Sequence, residues 1–203
     1  MSTSSAHGGS DESERWEPVL EDLEDRRRES RAMGGDERLA KHRGAGKLDV
    51  RARIDHLLDP GSFLELGTLA GGAETPADAI VVGSGTVDGR PVLVGAEDFT
   101  VKAGTIGGPS NSKRYRIAEL AAADRVPLVM LLEGAGYRAD GRHYGRAPTD
   151  LLAQARCSGR VPLITAVLGA SAGHGALVAP LSDFTVMTEA AAIFTAGRRG
   201  PPW

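Results

Sequence analysis

The chain has 203 residues, 41% hydrophobic and 25% charged, enough for one ordinary globular core and a tail beside it. A net charge of −3 argues against nucleic acid as a partner, and no run approaches the ~20 apolar residues of a membrane span, so no membrane partner is expected either. The lone cysteine, Cys157, excludes an internal disulfide and fits the cytoplasm, and the five histidines lack metal-ligand spacing, so no metal is expected.

Met1–Ser13 is polar and acidic, without the apolar run of a signal peptide, and reads as a disordered tail. Glu14–Met33 reads as a helix. Trp16, Val19, Leu20 and Leu23 give it a short apolar stripe, and Asp22 with Arg26 and Glu24 with Arg28 stand four residues apart, acid first. Gly34-Gly35 breaks it. Asp36–His42 follows as a short helix closed by Gly44 and Gly46. Asp49 is placed to cap a third helix with Ile54, Leu57 and Leu58 on one face, ended by Pro60-Gly61. Residues 14–60 thus form an N-terminal helical segment.

From Phe63 the pattern turns to strands. Ala79–Gly85 and Pro91–Ala96 are β-rich runs joined around Asp88-Gly89, a strong hairpin signal. Gly83, Gly85 and Gly89 loosely suggest a dinucleotide fingerprint, but the spacing is wrong and a strand follows where that motif needs a helix. After the glycine-rich loop Gly104–Pro109, Ser110 or Asn111 is expected to cap a helix over Ser112–Ala123. Val126–Leu132 reads as a buried strand ending at Glu133-Gly134-Ala135-Gly136, and Arg138–Arg146 as a polar, basic loop. Thr149–Ser158 reads as helix, Val161–Leu168 as strand, and Asp183–Met187 and Ala192–Thr195 as two more strands. Repetition of strand, glycine turn and helix predicts an α/β fold with parallel pairing.

The stretch Leu163–Pro180, LITAVLGASAGHGALVAP, offers two chemistries. Its glycine turn can present backbone N–H groups to negative charge. It also contains a G-x-S-x-G elbow around Ser171, which could hold a serine nucleophile. The glycine turns Gly134-Ala135-Gly136 and Gly173-His174-Gly175 each follow a buried strand. If those strands are neighbours, two N–H donors converge on one site, where a thioester oxygen could be polarised without an acid or base side chain. Glycines that merely permit tight packing give the same letters.

Several blocks, in order, resemble the N-terminal half of the carboxyltransferase (beta) subunit of biotin-dependent acyl-CoA carboxylases, the propionyl-, acetyl- and methylcrotonyl-CoA carboxylase family. They are Gly46-Lys47-Leu48 with Arg51-Ala52-Arg53-Ile54; LLDPGSF from Leu57; GTVDGR from Gly85; DFTV from Asp98; GTIGG from Gly104; SGRVP from Ser158; and GASAGHGA from Gly169 with Asp183-Phe184. The resemblance implies a crotonase-like superhelix of ββα units over residues 61–197, binding acyl-CoA in fatty acid metabolism. Ala135 and Gly136 would supply one oxyanion-hole N–H, and Gly173 and His174 the other. Carboxybiotin, carried by a biotin carboxylase or biotin carrier subunit, would donate the carboxyl group, and the full-length family member would be a homo-oligomer.

CoA phosphates call for cations. The candidates are Lys41, Lys47, Arg51 and Arg53, then Lys113, Arg114 and Arg116 on the helix after GTIGG, with Ser110 and Asn111 at its start.

The chain departs from the family pattern at three places. Glu133-Gly134-Ala135-Gly136-Tyr137-Arg138 stands where many members have Ser-Gly-Gly-Ala-Arg. His174 stands within the Ala-Gly-Gly-Ala pattern, where a histidine could shape the acyl pocket; with no partner evident from sequence, packing or solvation is its expected role. Residues 198–203 do not continue the family sequence, and the C-terminal domain that would complete the site is missing, so the chain reads as truncated or frameshifted. Other readings are a crotonase-type acyl-CoA enzyme using Glu133 or Asp140 as acid or base, an inactive CoA-binding fragment, and a serine hydrolase at Ser171. The last lacks a histidine after its acid, Asp183.

Overall fold

A computed structural model describes residues 9–138 and 148–195. Three helices come first: α1 (Gly9–Arg31), α2 (Asp36–Gly44) and α3 (Val50–Leu57). Residues 9–13 are helical, so the expected tail shrinks, and its first eight residues lie outside the described ones. In place of the expected pairs Asp22–Arg26 and Glu24–Arg28, α1 pairs at a spacing of three: Arg27 donates to Glu24 at 2.8 Å, and Arg28 pairs with Asp25. Residues three and four apart share a helix face, so either spacing can pair. Trp16, Val19 and Leu20 stay exposed. Asp49 caps α3 as expected, its Oδ1 accepting from the Arg51 and Ala52 N–H groups at 3.1 and 3.0 Å.

The sheet runs β1 (Leu64–Leu66), β2 (Ile80–Val87), β3 (Arg90–Glu97), β4 (Leu128–Gly134), β5 (Leu163–Ala172) and β6 (Phe184–Met187), and β7 (Ala192–Phe194) pairs with the end of β5. The first three strands are antiparallel. Asp88 and Gly89, with φ of 49° and 73°, make the two-residue turn between β2 and β3, both in the left-handed region such hairpins require. Gly83 and Gly85 lie inside β2, where Phe63 and Leu58 fill the space a Cβ would need, so these glycines serve packing.

From β3 to β6 all pairings are parallel. The crossovers carry α4 (Gly108–Asp124) and α5 (Asp150–Ala155), and α6 (Gly173–Ala176) and α7 (Val178–Leu181) follow β5. On one face, Ile80, Leu93, Met130 and Leu163 pack against Ile117, Ala118 and Ala121 of α4 and Ala153 of α5. On the other, Val81, Val94, Val129 and Leu131 pack against Val50 and Ile54 of α3. β4 is buried along its whole length, as a strand covered on both faces must be.

Helix α4 starts at Gly108, four residues before the expected Ser112. Pro109 occupies the first turn, which needs no N–H from it, and the cap comes from a distant residue. Oδ2 of Asp78 accepts from Ser110 N at 3.1 Å and Ser110 Oγ at 2.6 Å. No described helix is long and apolar enough to cross a membrane.

Candidate active site

Strands β4 and β5 end side by side. Their register runs from Leu128↔Leu163 to Leu132↔Val167, then jumps to Gly134↔Ser171. The jump falls where the Glu133 carboxylate lies against Gly169, in the space a Cβ would occupy. Beyond it the two glycine turns meet. A Cβ on Gly136 would stand 3.1 Å from the Ala172 oxygen and 3.7 Å from Gly173 Cα. Gly136 has φ +88°, which side-chain-bearing residues rarely adopt.

The N–H groups of the first turn divide. Ala135 donates to the Ala103 carbonyl at 2.9 Å, so its N–H is spent within the fold. Gly136 accepts from Ile106 N at 2.8 Å through its carbonyl, while its own N–H goes to no backbone carbonyl among the described residues. Gly173 and His174 open the short helix α6 directly opposite.

His174 has a partner the sequence reading did not supply. Its Nε2 bonds Oδ1 of Asp150, 24 residues earlier, with Thr149 Oγ1 at 3.4 Å. Asp150 is fully buried. Its Oδ2 accepts from Arg114 Nε at 2.6 Å and Gln154 Nε2 at 2.7 Å, and Arg114 Nη1 reaches Glu97 at 2.8 Å. Burial opposes ionisation of Asp150, but the Arg114 charge and the hydrogen bonds from His174 and Arg114 outweigh it and hold the carboxyl at about 2. Burial pushes Glu97 the other way, upward, despite the same arginine.

Most of the expected CoA-facing cations turn inward instead. Arg114 is fully buried in the chain just described. Lys113 Nζ donates to Ala77 O at 2.7 Å and also to Ile80 O, and burial lowers its pKa to about 8. Ser110 is buried on Asp78. These three therefore offer no surface to a phosphate. Arg53 is buried on Glu133, Arg51 pairs with Glu65 at 2.8 Å, and Arg116 pairs with Glu119 at 3.6 Å.

Lys41 and Lys47 fare differently. With Arg38, His42, Phe99 and Lys102 they line a cleft of about 570 Å³. Lys47 pairs with Glu133 and its Nζ lies 5.8 Å from the Phe99 ring centroid. The cleft reaches Ala103, whose carbonyl holds Ala135, so it adjoins the paired turns. Lys102, which the sequence reading missed, has φ +47° and Ala103 φ +54°. Two such non-glycine residues in succession are costly and concentrate at functional sites.

Glu133 is bound through both carboxylate oxygens, by Lys47 and Arg53, which leaves it no role as acid or base. Asp140 lies outside the described residues, as does the Arg138–Arg146 loop after Arg138. Ser171 is fully buried, its Oγ without a hydrogen-bond partner. Asp183 binds Leu163 N at 2.8 Å, at the opposite end of β5 from Ser171. Eight strand residues span about 26 Å, so no triad forms.

Residues 41–200 match the carboxyl transferase domain family. The chain belongs to that family. This carboxyl transferase domain is 34% identical over 192 residues to the methylmalonyl-CoA carboxyltransferase 12S subunit of Propionibacterium freudenreichii subsp. shermanii, covering 88% of this chain and 36% of that subunit. It is 38% identical over 182 residues to the biotin-dependent 3-methylcrotonyl-coenzyme A carboxylase beta1 subunit of Mycobacterium tuberculosis, covering 82% and 34%. The crystal structure of transcarboxylase 12S, a hexamer assembly with methylmalonyl-coenzyme A and methylmalonic acid bound, superposes with a TM-score of 0.78 at 33% identity, over 89% of this chain and 38% of that one. The fold is the mixed α/β, crotonase-like fold of that protein. The carboxyl transferase domain spans a little over a third of these relatives' length.

Proposed function

We propose that this carboxyl transferase domain is the acyl-CoA-binding half of a biotin-dependent acyl-CoA carboxylase, and that it stabilises the thioester enolate through main-chain N–H groups. The observation that carries the reading is the meeting of the Gly136 and Gly173–His174 turns at the ends of β4 and β5. A thioester oxygen lying between them accepts from the Gly136 N–H on one side and from the Gly173 or His174 N–H on the other. Ala135 holds its own turn in place by donating to Ala103. Each such donor is worth roughly 3 kcal/mol to a developing oxyanion.

The basic cleft supports the same reading. Arg38, Lys41 and Lys102 offer charge to the CoA phosphates, and the partly exposed Phe99 ring offers a face to the adenine. Carboxybiotin, when bound, supplies the carboxyl group. Tyr137, which follows Gly136, is 44% exposed. The domain alone is not expected to complete transfer. Its partners are a biotin carrier and, for the longer family members, further copies in a homo-oligomer.

Calorimetric titration tests the proposal. Propionyl-CoA should bind the chain. Lys41→Glu combined with Lys102→Glu should weaken binding about tenfold or more, since each phosphate contact is charge-assisted. Failure of the folded chain to bind any acyl-CoA would refute it.

A further inference from the structure

His174 is placed for more than packing. Its Nε2 faces a carboxylate held ionised, and a carboxylate can only accept there, so in the neutral ring the proton sits on Nε2 and the lone pair on Nδ1. Asp150 cannot turn away from this duty. Arg114 and Gln154 hold its other oxygen, and Asn111 Oδ1 holds its backbone N–H at 3.1 Å. Nδ1 makes no hydrogen bond among the described residues, and the side chain is 20% exposed. The ring centroid lies 5.5 Å from that of Tyr137, the residue after Gly136. An oriented imidazole with one nitrogen spare thus borders the paired turns. Glu133, the other carboxylate at this end of β4, is consumed by Lys47 and Arg53.

We infer that the His174–Asp150 dyad exchanges the α-proton of a bound acyl-CoA, giving the chain an enolisation activity that needs no biotin. The inference rests on the acyl-CoA reading above. In the step, the Nδ1 lone pair takes a proton from the α-carbon. The C–H electron pair becomes the enolate C=C bond, and the carbonyl π pair moves onto the oxygen held by the turns. Asp150 balances the imidazolium. Return of a solvent-derived proton from Nδ1 restores the thioester, so in heavy water one C–H becomes C–D and one HOD is released, with no net oxidation or reduction.

The test is proton NMR of propionyl-CoA in D2O with the full chain, with calorimetry on the same samples. The wild type should wash out the α-methylene signal. His174→Gly should slow the exchange by about 10²-fold or more, the usual weight of a positioned acid–base group, while still binding propionyl-CoA. Added imidazole should restore exchange in that variant, which a purely structural histidine would not allow. If His174→Gly does not fold, His174→Gln should show the same loss. A wild type that binds propionyl-CoA but exchanges no faster than buffer overturns the dyad alone, as does undiminished exchange in either variant. A wild type that binds no acyl-CoA overturns the acyl-CoA reading and this inference with it.

Discussion

Arg114 carries two charges' worth of buried structure. It stands between Asp150 and Glu97 with no exposure, so removing it strands both carboxylates in a dry interior. Arg114→Met should therefore cost about 3–5 kcal/mol in urea unfolding, far above what an exposed phosphate-binding arginine would cost. The inward turn of this side chain was readable in principle. Ser110, Lys113, Arg114, Ile117, Ala118 and Ala121 all lie on one stripe of α4 at helical spacing, and the last three are core. Their polarity obscured the stripe, because the acceptors that justify burial come from other elements: Asp78, Asp150, Glu97 and the carbonyls of Ala77 and Ile80. Lys113 makes the same point with a pH signature. Its folded pKa of about 8 lies below the ordinary 10.5, so between those values the unfolded chain binds the extra proton and stability rises with pH. Relative to Lys113→Met, the wild type should gain up to about 3 kcal/mol across that window in denaturant melts at pH 7.5 and 10.5.

The elements that the sequence announced are those fixed by short-range chemistry. The Asp88-Gly89 turn and the Asp49 cap need only neighbours a few residues away. Asp49 does more than cap, since Oδ2 also accepts from Arg43 at 2.7 Å and 3.0 Å and so ties α2 to α3. Asp49→Ala should lose about 1–2 kcal/mol by thermal melting, the upper end for a cap. What the sequence concealed spans long separations. The α4 start depends on Asp78, the β4–β5 register on Glu133 against Gly169, and the His174 partner on Asp150. Residue types allow these pairs, but no local spacing selects them. The candidate site shows the same division. The paired turns were legible as letters, whereas the spending of the Ala135 N–H on Ala103 needed the loop at Lys102–Gly104 to be placed.

At the scale of the molecule, a core covered on both faces of β4 coexists with an uncovered flank. β6 lies at the sheet edge and is exposed throughout, with Phe184 at 61%, and Leu177, Leu181 and Phe194 add apolar surface nearby. An open edge strand with apolar side chains promotes association. Size-exclusion chromatography at rising concentration should show association of the wild type that Phe184→Lys with Val186→Lys reduces, with an unchanged melting temperature because neither side chain is buried.

The domain spans little more than a third of its relatives, and the account of what it contributes turns on two main-chain turns. Isotope-edited infrared spectroscopy of carbonyl-labelled propionyl-CoA reads them directly. Bound to the wild type, the thioester C=O stretch should fall below its value in water, and replacing Gly136 by glycolic acid, which exchanges that N–H for an ester oxygen and keeps the left-handed φ, should lose most of the shift while the basic cleft still holds the CoA. A bound thioester whose stretch matches that in water, or is the same in the wild type and the ester variant, would contradict this role for the two turns.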